Sequence, residues 1–359
     1  MMIGKTRSLT FTSLFFLLVI SLIVNSYIFN SLLIINIFLI SSLISLVITK
    51  YGFKIITRLN LLQNIRTEGP SLHFNKTNTP TMGGIFIILP FLLLLLIVNN
   101  SFDSNGILLL FFCTISFFII GFLDDYLSIA NEKNTGLKSN EKFTLQALIA
   151  VLFIIFANQS NNINPLITIS NNWNIDTNIV IFPICFLTLV GLSNAVNLTD
   201  GLDGLAAGCS AIVFFGLGTE IFIKGQKDLI IYGLISYAMS GLCIGFLKYN
   251  KYPAKIFMGD TGSLTIGAAL GSISILTNSF FTLFIISGIF ITEALSVMIQ
   301  VSFFKITKKL FKKGKRVFLM TPIHHHFELK GIKEEKIVEN FWKVNILLIV
   351  LGIVLKINL

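Results

Sequence analysis

Asn194-Ala-Val-Asn-Leu-Thr-Asp-Gly-Leu-Asp-Gly-Leu-Ala206 closes one long apolar run, Ile179 to Val196, and opens the next, Leu205 to Ile223. Two carboxylates and two amides are thus crowded where two greasy stretches meet. An ionised Asp near the centre of a bilayer costs roughly 2.5–3.5 kcal/mol on insertion scales, so acids kept at the edge of a span usually face a polar cavity. Gly201 and Gly204, beside Asp200 and Asp203, carry no Cβ and let a ligand approach the backbone. The stretch reads as one wall of a metal and phosphate site.

Working outward, the same alternation of apolar runs and short polar turns fills the chain. Of its 359 residues, 54% are hydrophobic and 12% charged, against about 25% charged in a soluble domain. Mean hydropathy is +0.84. The chain is therefore a polytopic membrane protein, all-α, with one integral membrane domain spanning residues 1–359. Eleven apolar runs mark its candidate helices: Leu9 to Phe29, Leu32 to Thr49, Gly83 to Val98, Gly106 to Leu123, Phe143 to Ala157, Ile179 to Val196, Leu205 to Ile223, Leu229 to Leu247, Leu264 to Thr277, Phe280 to Phe304 and Phe341 to Leu355. The first, within residues 1–30, follows a basic start and resembles a signal peptide in outline. No small-x-small cleavage site follows it, so it reads as an additional N-terminal span.

Charge sets the orientation. Net charge is +10, and 21 of the 27 Lys and Arg fall in alternate loops: 50–82, 124–142, 197–204, 248–263 and 305–340. By the positive-inside rule these loops face the cytoplasm, so the basic excess reports sidedness and no nucleic-acid partner is expected. Cys113, Cys185, Cys209 and Cys243 are isolated in apolar context, which supports neither a disulfide framework nor a zinc motif.

Each chemically suggestive cluster lies in those inner loops. Lys76-Thr-Asn-Thr-Pro-Thr-Met-Gly-Gly84 enters the third run; Thr79, Thr81 and Lys76 would meet an anion at that helix N-terminus, or the segment is an ordinary helix entry. Asp124-Asp125 ends the fourth run. Adjacent carboxylates raise each other's pKa unless a cation relieves them, and at a helix C-terminus they oppose the macrodipole. Asn197, Asp200 and Asp203, three residues apart, suit magnesium and its phosphates, or form two Asp-Gly turns. Asn250 and Phe257-Met-Gly-Asp260-Thr-Gly-Ser263 offer a metal ligand and phosphate donors, or a helix N-cap with packing from Phe257.

Pro322-Ile-His324-His325-His326-Phe-Glu328 holds three of the four histidines. On a helix they point about 100° apart, so they cannot share one zinc, and donation to a diphosphate fits better. Just upstream, Lys308 to Arg316 has six basic residues in nine, a stripe suited to anionic lipid. Glu293, inside the tenth run, reads as a buried, hydrogen-bonded structural group.

Taken together and in this order, the motifs resemble the bacterial phospho-N-acetylmuramoyl-pentapeptide transferases, from about Leu32 to the C-terminus. The resemblance implies ten core transmembrane helices in a homodimeric inner-membrane enzyme. It would move phospho-N-acetylmuramoyl-pentapeptide from its UDP carrier to undecaprenyl phosphate, yielding lipid I and UMP. It further implies that Asp260 binds magnesium, that Asp124 is the base with Asp125 its partner, and that Asn197, Asp200 and Asp203 line the cleft. Asn250 and Phe257 would lie near the uracil. Lys76, Lys142, Thr81, His324, His325 and His326 would contact phosphates and substrate. Ser128 stands where family members usually carry Lys, with Lys133 a candidate replacement; Asn78 replaces a Gly and Thr135 a Lys. A sibling polyprenyl-phosphate N-acetylglucosamine-1-phosphate transferase shares the acidic clusters, and the His324 run favours the muramoyl enzyme. An ion-coupled transporter would need several acids near the bilayer midplane, where the sequence places Glu293 alone.

Overall fold

The structure, a computed structural model, describes residues 3–59, 79–102, 105–131, 136–169 and 173–358. Lys76, Asn78, Lys133 and Thr135 lie outside these residues. The helices in chain order are α1 (Ile3–Ile28), α2 (Leu33–Arg58), α3 (Ile85–Phe102), α4 (Asn105–Ala130), α5 (Ser139–Gln159), α6 (Ile181–Phe186), α7 (Leu192–Thr199), α8 (Leu205–Lys224), α9 (Ile230–Asn250), α10 (Gly259–Leu276), α11 (Phe280–Ile286), α12 (Gly288–Phe311), α13 (Ile323–Leu329) and α14 (Glu334–Asn358). Strands β1 (Leu166–Thr168) and β2 (Asn174–Asp176) pair antiparallel, with Ile167 opposite Ile175, in the loop after α5.

All eleven apolar runs lie in helices, and nine helices among the described residues are long and apolar enough to cross a membrane. The apolar stretch of α3 is shorter, and α10 is diluted by the Gly, Ser and Thr that let it pack on every side. The bundle's centre is α8, α9 and α10, buried along nearly their whole lengths; α2 covers α9, α4 covers α10, and α14 lies along α8. The exposed Leu, Ile and Phe side chains belong mostly to the outer helices α1, α2, α5, α12 and α14, which is the surface a bilayer covers.

Two runs are less regular than their hydropathy suggests. The sixth is a composite: α6 carries Pro183, a π-helical stretch covers Leu187–Gly191, and α7 completes it. The tenth breaks between α11 and α12, where the Ser287 hydroxyl donates back to the Leu283 carbonyl at 2.6 Å and Gly288 follows. A hydroxyl bonded to the preceding turn bends a helix, and an apolar run conceals such a break. Glu293 consequently sits not mid-helix but in the second turn of α12.

The N-terminal run is a helix packed as part of the bundle. Leu14, Leu18 and Leu22 are buried, and Asn25 donates to Thr219 Oγ1 at 3.0 Å and to the Tyr237 hydroxyl at 3.1 Å. At its other end, the ammonium of Lys251 lies 4.9 Å from the centre of the Phe11 ring.

The two ends of the bundle differ in chemistry. At one end Lys224 donates to the Thr277 and Asn278 carbonyls, Asn278 reaches the Leu166 carbonyl, and Glu220 takes a 2.7 Å hydrogen bond from Ser279. The other end gathers the C-terminal turns of α4 and α7, the first turns of α5, α10 and α14, and the loop between α9 and α10. This separation matches the loop sidedness deduced from charge.

Candidate active site

The site begins with a helix start. Asp260 is the second residue of α10, and the chain before it is docked against Thr79 to Gly84: Phe257 N–H donates to the Pro80 carbonyl, Gly83 N–H to that of Phe257 and Gly84 N–H to that of Met258, each at 2.8 Å. This docking needs Gly84, because a Cβ there would come well inside 3.0 Å of the Gly262 backbone. Thr81, buried in the same segment, lies beside Gly259.

The two adjacent acids at the end of α4 part company. Asp125 faces the N-terminus of α10 and accepts from Asp260 N–H (3.1 Å), Thr261 N–H (2.9 Å) and the Thr261 hydroxyl (2.6 Å). Its carboxylate therefore satisfies the orphan donors of that helix and complements its dipole. Asp124 turns the other way, accepting from Leu137 N–H at 2.9 Å and lying 3.6 Å from the Lys142 ammonium. The two carboxylates thus serve different partners, Asp125 the start of α10 and Asp124 the Leu137 N–H and Lys142.

Lys142, in the first turn of α5, also contacts Asp260 Oδ2 directly. The other oxygen, Oδ1, accepts from Asn197 Nδ2 at 2.7 Å, and that amide also donates to Ser263 Oγ at 2.9 Å. Asp124, Lys142, Asp260 and Asn197, drawn from α4, α5, α10 and α7, thus form one continuous polar row.

Asp200, just beyond α7, joins the row from the side. Burial, and after it the nearby charges of Asp260, Asp125 and Asp203, push its carboxyl up to about 8, with a hydrogen bond from the Gly259 backbone opposing them. Asp203 has a different role: its carboxylate accepts from Ala254 N–H at 2.8 Å, and its own N–H donates to Glu334 at 2.7 Å, tying the turn to the α9–α10 loop and to α14. Asn250 donates to the Ile256 carbonyl at 2.9 Å, leaving its buried side-chain oxygen without a partner among the described residues. Phe257 contributes its backbone to the docking described above.

The three histidines of α13 diverge as helical geometry demands. His324, fully buried, meets Glu293 at 3.1 Å; His325 meets Glu328 at 2.6 Å; His326 accepts from Leu319 N–H at 3.1 Å. Sequence reasoning treated Glu293 as structural with no named partner. The missed signal is that an acid inside an apolar run requires one, and the histidine run supplies it through its buried member, His324. Gln146, which accepts from Asn194 at 2.7 Å, was also missed.

A divalent cation fits this chemistry. Asp260 and Asp124 already accommodate a positive charge, the Lys142 ammonium, between hard oxygen donors. Among the described residues, no cluster of three or more His, Cys, Asp or Glu could hold a metal. Hard carboxylate oxygens are the ligand type magnesium takes, one or two at a time, with water and substrate phosphates in its other positions.

With the geometry in place, the comparisons are specific. Residues 107–278 match Glycosyl transferase family 4, and residues 76–88 match the phospho-N-acetylmuramoyl-pentapeptide-transferase signature 1. A phospho-N-acetylmuramoyl-pentapeptide-transferase of Prochlorococcus marinus subsp. pastoris (strain CCMP1986 / NIES-2087 / MED4) is 97% identical over 359 residues, all of both chains. The chain belongs to the phospho-N-acetylmuramoyl-pentapeptide-transferase family. A member from Prochlorococcus marinus (strain MIT 9515) is 79% identical, covering 100% of this chain and 99% of its own. Even the transferase of that name from Synechococcus sp. (strain CC9311) is 42% identical over 89% of this chain and 87% of its own. As a member of this family the chain is a multi-pass membrane transferase.

Proposed function

We propose that this transferase moves phospho-N-acetylmuramoyl-pentapeptide from its UDP carrier to undecaprenyl phosphate, producing lipid I and UMP for peptidoglycan synthesis. The observation that carries the reading is the Asp124–Lys142–Asp260 row at the basic-loop end of the bundle. Two anions must meet in this reaction, and their repulsion is the obstacle. An oxygen of the lipid phosphate attacks the β-phosphorus, a new P–O bond forms, and the β-phosphorus–oxygen bond to UMP breaks. Asp260 would hold magnesium, which would supply positive charge to the diphosphate. Lys142 adds a second positive charge from the protein itself, and Asn197 fixes the direction of the Asp260 carboxylate. Asp124, free of the helix-capping duty that Asp125 performs, is the carboxylate positioned to take the lipid phosphate's proton. Catalysis is then chiefly positioning and charge stabilisation.

The positive-inside pattern supports a site on the cytoplasmic face of the inner membrane. The family resemblance supports a homodimer, testable by the mass of the detergent-solubilised particle. The decisive assay offers the purified chain the muramoyl-pentapeptide nucleotide with undecaprenyl phosphate and magnesium and measures UMP. Release that needs both substrates and the metal is expected; equal or better turnover of UDP-N-acetylglucosamine would transfer the assignment to the sibling enzyme.

A further inference from the structure

Glu293 and His324 are both sealed from solvent, each 0% exposed, yet they come from different helices, α12 and α13. His324 Nδ1 lies 3.1 Å from Glu293 Oε1. Among the described residues, neither ring nitrogen and neither carboxylate oxygen has a hydrogen-bond partner, which leaves this close approach as the polar contact between them. A buried carboxylate left without a polar partner costs several kcal/mol, so burial favours keeping Glu293 and His324 against one another. With Nδ1 turned towards Glu293, the ring's Nε2 points the opposite way. That opposite direction is the acidic turn: Nε2 rests against Gly201, where a Cβ would fall far inside 3.0 Å of the ring.

The turn between α7 and α8 is held from its other side by Asp203, whose carboxylate accepts from Ala254 N–H in the α9–α10 loop and whose own N–H donates to Glu334. It is pinned between the α9–α10 loop, which leads into Asp260, and the His324 ring, which Glu293 braces from α12. Of the neighbouring histidines, His325 meets Glu328 within α13 and sets its ring edge-on against that of His324, 4.2 Å between centroids, while His326 accepts from Leu319 N–H.

We propose that Glu293 is a positioning residue for the transfer reaction: by holding the His324 ring against Gly201, it keeps the Asp200–Asp203 turn in register with Asp260. This rests on the transfer reading given above. Glu293 touches no substrate, so its loss acts through His324.

The test is a double-mutant cycle on the purified full-length chain, with Glu293→Gln, His324→Gln and the pair. Each single variant should lower kcat for UMP release by ~10–100-fold, the range expected for a misplaced catalytic group, with KM for the nucleotide changed less than about twofold. The double variant should be no slower than the slower single one, because coupled residues are not additive. Gly201→Ala, which displaces the ring from the opposite side, should show the same kcat-selective loss. In parallel, ring-nitrogen NMR on histidine-labelled protein should show His324 shifting in Glu293→Gln while His326, tethered to Leu319, stays. Losses that multiply in the double variant, or a His324 resonance indifferent to Glu293→Gln, would overturn the proposal while leaving the transfer reading intact. A wild-type chain that releases no UMP would overturn the transfer reading and this role with it.

Discussion

The carboxylate of Asp125 caps the backbone of Asp260, accepting its N–H at 3.1 Å and both the N–H and the hydroxyl of Thr261. One acid of the Asp-Asp pair therefore builds the helix start on which the other's partner is displayed. Three hydrogen bonds to a charged acceptor are each worth about 1.5–3 kcal/mol at most, and capping losses typically cost ~1 kcal/mol. Asp125→Ala should lower the thermal midpoint and activity together, while Asp125→Asn, which keeps an acceptor oxygen, should retain most of the stability. Equal midpoints for the two variants would show that the cap contributes nothing.

Lys142 separates Asp124 from Asp260, so removing its charge leaves two carboxylates facing one another. Lys142→Met is expected to fold, because its stem is replaced by one of similar length, and to lose ~10²–10³-fold in kcat, the scale for deleting one charge-stabilising group. Circular dichroism in detergent, with UMP release, checks both halves. A variant within about threefold of wild type would remove Lys142 from the machinery.

Asp260→Asn tests the metal assignment. Chelation should silence the wild-type chain and magnesium should restore it, whereas the Asn variant should stay nearly inactive across the titration, with membrane insertion verified by its size-exclusion profile. Full activity of Asp260→Asn at ordinary magnesium would exclude this carboxylate as the ligand.

The Asp200 carboxyl, pushed up to about 8, carries a pH signature. In the unfolded chain it ionises near its ordinary value of 3.8, so between that pH and about 8 the unfolded state sheds a proton that the folded state keeps. This group's contribution to stability is thus full below pH 3.8 and declines as pH rises towards 8. Asp200→Asn should flatten that decline and raise the thermal midpoint at neutral pH, although turnover falls. A wild-type and variant difference that is constant with pH would contradict the cause assigned here.

Much of this architecture was legible in the residues themselves. Hydropathy located every membrane helix, and the inner-loop position of Asp124, Asp200 and Asp260 followed from the basic residues around them. What stayed hidden depends on rotation and on distant partners. Neighbours on a helix point about 100° apart, so which of Asp124 and Asp125 caps α10 is decided by how α4 lies on α10. The break at Ser287 is masked because apolar residues continue on both sides. Glu293 acquires its partner only when α13 folds back beside α12, and no local pattern announces that meeting.

The N-terminal helix α1 supplies a stability prediction separate from the chemistry. Asn25 places a polar amide among α1, α8 and α9, donating to Thr219 and Tyr237, where a bilayer offers no alternative partner. Hydrogen bonds between membrane helices average about 0.6 kcal/mol, so two of them fix the register of α1 without dominating its attachment. The apolar contacts of Leu14, Leu18 and Leu22 supply the rest. Asn25→Leu should lower the thermal midpoint by only a few degrees and leave the KM for the nucleotide unchanged, since the inner-end site lies at the far end of the bundle. Leu18→Asn should do more damage, because it puts an amide in an apolar contact made without one. If Asn25→Leu instead proved the more destabilising of the two, polar register and not packing would be what holds α1 to the bundle.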